Sequence, residues 1–161
     1  MKMRKGFTLV ELLIVIVIIG ILAAAMLLSS GSATAAAKAS NIISDLRSLK
    51  TASLMLYSDS MDSFDLGSAS FNFSGAQVKD SLGRYVDNPE KYNANFKCEV
   101  HSSSGKWWIS YTIPTGEAGK EEIQDKLKGK AKSVGLYQSV GDLTSSNAYN
   151  GTTATVYMVA R

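Results

Sequence analysis

The sequence predicts an α+β fold in which a long N-terminal transmembrane helix packs, through its second half, on a small antiparallel β-sheet. Three patterns indicate it: an apolar run from Phe7 to Leu28, an apolar stripe at helical spacing that continues to about Tyr57, and later segments that alternate apolar and polar residues. With 161 residues, the chain has room beyond the apolar run for one compact domain of ordinary size.

The first element is the apolar run from Phe7 to Leu28. Its 22 residues would form a helix of about 33 Å, enough to cross a hydrocarbon core of roughly 30 Å. Lys2, Arg4 and Lys5 precede it, and the positive-inside rule then places the N-terminus in the cytoplasm and the later residues outside. Glu11 is the only side chain of the run that can carry charge, which is costly in a bilayer unless the charge is partnered.

Three interpretations fit this segment. It could be a plain single-pass anchor whose Glu11 reaches the interface. It could be a secretory signal peptide cut at small residues within 33–37, although the run exceeds the usual apolar length of about 7–15 residues. Alternatively, cleavage after Gly6 would leave a new amino group on Phe7, one helical turn from Glu11, where a carboxylate could pair with the amine of a neighbouring helix. The third interpretation accounts for every feature and is favoured.

The residues Lys-Gly-Phe-Thr-Leu-Val-Glu-Leu-Leu-Ile-Val-Ile, at positions 5–16, resemble the N-terminal signature of type IV pilins and type II secretion pseudopilins. Gly20 to Ala24 extend the resemblance. It implies that a prepilin peptidase/methyltransferase cuts after Gly6 and methylates the amine of Phe7. It further implies an inner-membrane helix that later polymerises with itself and with other pilins, with Glu11 pairing with the amine of an adjacent subunit.

One position departs from that family's pattern. Many members carry a proline where this chain has Leu28, and the first proline here is Pro89. The weak helix formers of Ser29 to Ala33 instead predict local softening of the helix rather than a proline kink.

The predicted organisation is a leader peptide at 1–6, a transmembrane and assembly helix at 7–28, and an extracytoplasmic head at 29–161 that includes the second half of the helix. The formal net charge of +3 comes wholly from the leader, because removing its three cations leaves 14 basic and 14 acidic side chains. The charge therefore gives no reason to expect a nucleic-acid partner, which would be expected only of a subunit that serves DNA uptake.

Beyond the membrane segment the helix is predicted to continue to about Asp59. Its apolar residues recur at steps of three and four and predict the face on which the head packs: Ile42, Leu46, Leu49, Ala52 and Leu56. Asn41, Asp45, Arg47 and Lys50 are assigned mostly to other faces. A connecting loop is predicted over 58–75, and then a helix over 77–86 that Asp87-Asn88-Pro89 ends.

The sheet is predicted from two alternating segments, Phe96 to Val100 and Trp107 to Ile113, joined by a hairpin turn over 102–105. A short surface helix follows over 117–132. Two further strands are predicted over 134–140 and 153–160, with a polar loop over 141–151 between them.

Three residues of the sheet have predicted environments. Cys98, the single cysteine, is expected in the core of a strand, which excludes an intrachain disulfide and leaves pairing between subunits as the alternative. Trp107 and Trp108 should point to opposite faces, one into the core and the other exposed as a contact for a neighbouring subunit.

The sequence contains no pattern typical of an enzyme, so we predict no catalytic residue, cofactor or metal. His101, the only histidine, falls on the polar phase of a strand and is expected to be solvated. Asp142 is the only carboxylate after position 133, too few for a calcium site even with carbonyls from Asn147 and Asn150.

The lysines of the predicted surface helix are interleaved with acids. They are Lys120, Lys126, Lys128, Lys130 and Lys132. This mixture is typical of a solvated helix face rather than of a DNA-binding patch, which rewards unopposed charge.

These patterns predict a structural subunit of a type IV pilus or a type II secretion pseudopilus, processed after Gly6 and polymerised through its apolar helix. It would reside in the inner membrane and then in an extracytoplasmic filament or on the cell surface. The alternative is a non-polymerising binding module, membrane-anchored or secreted, that uses the N-terminus only for export. An enzyme carried on the same anchor is a third class.

Overall fold

The structure, a computed structural model, describes residues 6–59, 73–74, 76–92, 94–101 and 105–161. Its helices are α1 (Leu9–Asp59), α2 (Ala76–Leu82) and α3 (Lys120–Val134). Its strands are β1 (Phe73–Ser74), β2 (Phe96–Val100), β3 (Trp107–Thr112), β4 (Leu136–Tyr137) and β5 (Thr155–Val159). The predicted α+β class is confirmed, as is the end of the long helix at Asp59.

The internal contacts of the chain divide it into two compact units, Met1–Thr34 and Ala35–Arg161. The first contains the N-terminal part of α1, and the second contains the rest of α1 and all the strands. The residues at 29–33 are helical throughout, and the local softening of the helix predicted there stays a prediction.

Within the second unit, α1 buries one face. The predicted stripe is confirmed, because Leu46, Leu49 and Ala52 are fully buried and Leu56 packs partly buried against the same core. The prediction for Asp45 was wrong. This residue is buried instead of lying on another face, and Lys91, in a short 3₁₀ turn at Pro89–Lys91, forms an ion pair with its carboxylate. A charge can occupy the edge of an apolar face when its partner reaches it from another element.

The sheet is antiparallel throughout, with the strand order β1-β2-β3-β5-β4. Alternate residues of the central strands face the core that α1 and α3 cover; they include Cys98, Ile109 and Met158, which lie on three adjacent strands in register. The predicted core position of Cys98 is confirmed. The thiol is free and buried, so it is not available for the alternative of pairing between subunits.

The prediction that one tryptophan is exposed was wrong. Trp107 lies in the core, and Trp108, on the opposite face of β3, is also fully buried. Tyr137 and Tyr157 pack edge-on against the Trp108 ring, at 5.5 and 6.5 Å between ring centroids, and cover it. Ser110 on the same face is buried as well. The outer face of the sheet is therefore a small aromatic layer rather than a free tryptophan surface.

The predicted strand over 134–140 was too long, since α3 continues to Val134. Gly135 then adopts a left-handed conformation with φ +75°, and its N–H donates to the carbonyl of Ala131. This glycine cap ends the helix and leaves room for only two strand residues, Leu136 and Tyr137.

The connecting segments differ from the predictions in two places. Phe73–Ser74, predicted to lie in a loop, pairs with Lys97 and Cys98 as the edge strand β1. The predicted 77–86 helix is α2 followed by a 3₁₀ turn at Gly83–Tyr85. Most of the predicted loop (60–72) and most of the predicted hairpin turn (102–104) lie outside the described residues. Beside that turn, the backbone N–H of His101 donates to the carbonyl of Lys106.

Candidate functional site

The first part of α1 is apolar on every side. Fifteen large apolar side chains between Phe7 and Leu27 are exposed, from 49% for Val15 to 88% for Phe7. The stretch is long and apolar enough to cross a membrane, and none of its most apolar part is buried in the structure. Because exposing one such side chain costs about 1.5–3 kcal/mol relative to burying it, this surface needs lipid or protein around it.

The start of α1 is held by a capping box that the sequence analysis missed. The backbone N–H and the hydroxyl of Thr8 both donate to Oε2 of Glu11, each at 2.8 Å. In return, the backbone N–H of Glu11 donates to Oγ1 of Thr8 at 3.2 Å. The signal was present in the sequence, since Thr8 and Glu11 have the Thr-x-x-Glu spacing of this motif at the start of an apolar run.

The capping box marks the start of α1, and the three predicted site residues, Gly6, Phe7 and Glu11, lie on either side of that start. Glu11 is in the first turn of α1, and its other oxygen, Oε1, makes no hydrogen bond with the residues that the structure describes. Gly6 and Phe7 precede the helix and are exposed, with nothing within 4 Å of the place where a Cβ on Gly6 would lie. The peptide bond after Gly6 is therefore exposed and lies before the start of the helix. In the first turn of that helix, the Glu11 carboxylate has one oxygen without a hydrogen bond to the described residues.

The residues that were weighed as catalytic or metal-binding lie in the second unit. His101 is partly exposed, and its ring packs against Gly141, where an added Cβ would lie 3.2 Å from Nε2. The carboxylate of Asp142 accepts hydrogen bonds from the backbone and the hydroxyl of Thr144, which hold its pKa below the usual range. Among the described residues, no group of three His, Cys, Asp or Glu side chains is placed to hold a metal ion.

The two asparagines near Asp142 serve local structure. The Nδ2 of Asn147 donates to the carbonyls of Ser139 and Asp142, and its Oδ1 accepts from the Ser139 hydroxyl. The Oδ1 of Asn150 accepts from Thr152. Both side-chain carbonyls therefore have donors within their own loops.

The lysine-bearing helix α3 is anchored by Ile123, Leu127 and Ala131, which are buried in the core. The short surface helix predicted over 117–132 is therefore confirmed, with its bounds at 120–134. Lys130 donates to the hydroxyl of Ser40 on α1, while Lys128 and Lys132 are exposed.

A cleft of about 260 Å³ lies beside α1 in the second unit. Ile42, Phe96 and Ile113 contribute its apolar lining, and two ion pairs, Lys38–Glu117 and Lys91–Asp45, lie along it. Each charge of these pairs is neutralised within the chain, so the pairs offer no unopposed charge to a ligand.

Comparison with known proteins bears on the N-terminal segment alone. Residues 1–27 match the family model described as the prokaryotic N-terminal methylation motif. No curated protein and no solved structure matches the chain. The motif is the type IV pilin and pseudopilin signature, so the recognition made from residues 5–24 is confirmed.

Proposed function

We propose that this protein is a structural subunit of a type IV pilus or a type II secretion pseudopilus, cut after Gly6 and polymerised through the apolar part of α1. The methylation motif at residues 1–27 supports a pilin-like or pseudopilin precursor, and it suggests a structural subunit rather than an enzyme. The observation that carries the proposal is the uncovered apolar helix with a single carboxylate in its first turn.

The apolar surface of α1 would be covered in two successive environments, first lipid and then other subunits. In the precursor, lipid would cover the side chains from Phe7 to Leu28, with Lys2, Arg4 and Lys5 holding the N-terminus in the cytoplasm. In the filament, the same helices from other subunits would replace the lipid. The signature fits a protein that is membrane-anchored first and surface-exposed later.

Glu11 would have two roles in this mechanism. Its Oε2 caps its own helix through Thr8. Its Oε1 would accept a hydrogen bond from the methylated amine of Phe7 on an adjacent subunit, so that two charges in an apolar environment neutralise each other and set the axial register. The signature implies the two kinds of partner that this needs, a prepilin peptidase and other pilins.

The first experiment is the N-terminal sequence and intact mass of the protein isolated from its native membrane and from sheared surface material. We expect a chain that begins at N-methylated Phe7. A chain beginning near Ala36 or Lys38 would instead identify a secreted domain, and an uncut Met1 a simple anchor. Either result would overturn the proposal.

Substitutions separate the charge of Glu11 from its capping role. Glu11→Gln keeps an acceptor for Thr8 and loses the charge, whereas Thr8→Ala loses the cap and keeps the charge. We expect Glu11→Gln and Glu11→Ala to reduce filament yield at least tenfold, because an unpaired buried amine costs several kcal/mol. Thr8→Ala should lose only the cap, worth about 1 kcal/mol, and keep most of the filaments.

Membrane levels of each variant, measured by immunoblot, control for loss of the protein. Normal filament yield from Glu11→Gln would contradict the pairing mechanism. Loss of filaments from Thr8→Ala alone would show that Glu11 acts through the helix cap.

A further inference from the structure

We propose that Asn150 is an acceptor for N-linked glycosylation, taking a sugar from an activated donor in which the sugar is joined to a diphosphate. Asn150, Gly151 and Thr152 have the Asn-x-Thr pattern that transferases of this kind read, with a middle residue other than proline. This pattern alone is a weak signal. Three features of the loop between β4 and β5 support it here.

The first feature is a fixed base beneath an exposed tip. Tyr149 is buried, its backbone N–H donates to the carbonyl of Leu136, and its hydroxyl donates to the carbonyl of Thr153. Gln124 from α3 donates to the same carbonyl at 2.7 Å. Between these anchors, Asn150 and Thr152 are exposed. A modifying enzyme can therefore reach the tip while the core stays closed.

The second feature is the arrangement of the two side chains that such a transferase recognises. The Oδ1 of Asn150 accepts hydrogen bonds from the backbone N–H of Thr152 at 3.0 Å and from its hydroxyl at 2.6 Å. The amide and the hydroxyl are thus held against each other.

The third feature is that the reacting nitrogen is available. The Nδ2 of Asn150 makes no hydrogen bond with the residues that the structure describes, whereas the Nδ2 of the buried Asn147 donates to two carbonyls. Gly151, between acceptor and hydroxyl, has φ +82°, a conformation that glycine adopts without strain. The turn therefore needs the small middle residue that the sequence supplies.

A second acceptor pattern, the Asn-x-Ser of residues 72–74, serves as an internal comparison. Asn72 lies outside the described residues, but Phe73 and Ser74 form β1 and pair with Cys98 and Lys97. The backbone that carries this hydroxyl residue is part of the sheet. We expect modification at Asn150 and none at Asn72.

The reaction involves no change of oxidation state. A bond forms between Nδ2 and the anomeric carbon of the sugar, and the bond from that carbon to the diphosphate oxygen breaks. The diphosphate leaves with the electron pair, and Nδ2 gives one proton to a base of the transferase. A lipid-linked donor would add a preassembled oligosaccharide in one step, whereas a nucleotide-linked donor would add a single sugar first.

The test is glycopeptide mass spectrometry on the full chain from its native source. Trypsin cuts after Lys132, and the next basic residue is Arg161, so Asn150 lies in the tryptic peptide 133–161. We expect this peptide to carry added sugar mass that fragmentation places on Asn150, with the mass distinguishing the two donors. Asn150→Gln and Thr152→Val should abolish it, Thr152→Ser should retain part of it, and Asn72→Gln should leave it unchanged.

Direct observation of the glycan is required, because an asparagine followed by glycine also gains one mass unit by spontaneous deamidation. An unmodified Asn150, or sugar on a serine or threonine of the same peptide, would overturn the proposal. The same spectra report the N-terminus, so this failure is distinct from failure of the filament proposal: a chain that begins at Phe7 with a bare Asn150 refutes only the glycosylation.

Discussion

At the scale of single residues, the fold changes the chemistry of the Cys98 thiol. It lies between Phe73 and Ile109 on the core face of the sheet and is 1% exposed. Burial, and secondarily the charge of Glu99, raises the pKa of its thiol to about 12 from a reference value of 9.0. The folded protein therefore disfavours the thiolate, which the unfolded chain forms readily.

Because the pKa of this thiol differs between the folded and the unfolded chain, the free energy of unfolding depends on pH in the alkaline range. A raised pKa in the folded state means that the stabilisation is complete below the unfolded value of 9.0 and is lost as the pH rises toward about 12. We expect the advantage in unfolding free energy of the wild type over Cys98→Ala to shrink by about 2 kcal/mol from pH ~8 to ~10.5, at 1.36 kcal/mol per pH unit. Urea denaturation of both proteins measures it. A difference that does not vary with pH would contradict the buried thiol.

Asp45 shows what helical periodicity does not reveal about a single side chain. Its position at the edge of the apolar stripe was readable, but its burial depends on Lys91, which is 46 residues away in the sequence. Likewise, the burial of Trp108 depends on Tyr137 and Tyr157 from two other strands. Alternation assigns a side chain to a face and does not say what covers that face.

At the scale of elements, one glycine inside α3 and another that caps its end have opposite expected effects on stability. Gly129 lies inside the helix and is exposed, and Gly135 ends it at φ +75°. Neither has an atom within 4 Å of an added Cβ, so packing does not enter the comparison. We expect Gly129→Ala to stabilise the protein by about 0.5–1 kcal/mol. Gly135→Ala should destabilise it by about 1–2 kcal/mol, the cost of the left-handed conformation.

Thermal and denaturant unfolding of the two variants tests this pair, with each serving as the control for the other. Equal effects would show that α3 does not end at Val134.

The glycine cap at Gly135 also explains why the predicted strand over 134–140 was too long. The sequence shows the glycine, but the apolar residues on either side of it, Val134 and Leu136, are compatible both with the end of a helix and with the start of a strand.

At the scale of the whole molecule, the parts that the sequence predicted well are those that short-range patterns determine. The long helix, β2, β3 and β5 follow from runs and alternations of 5 or more residues. The two-residue strands β1 and β4 do not, because each exists only through pairing with a strand distant in the sequence. The N-terminal motif could be recognised because all of its residues are close together in the sequence. The turn at Asn150 could not be predicted in this way, because it depends on hydrogen bonds with residues of β4 and α3.

The distribution of buried residues predicts that the head folds without the apolar segment. In the part of the chain that the structure describes, every residue of the hydrophobic core lies between Ala35 and Ala160, within the second contact unit. A fragment of residues 35–161 should therefore be soluble without detergent and unfold in one cooperative transition. Circular dichroism and calorimetry of the fragment, beside the full chain in detergent, should give melting temperatures within a few degrees of each other. If the fragment aggregates or melts without cooperativity, the first 34 residues contribute to the stability of the head, and the core assigned here is incomplete.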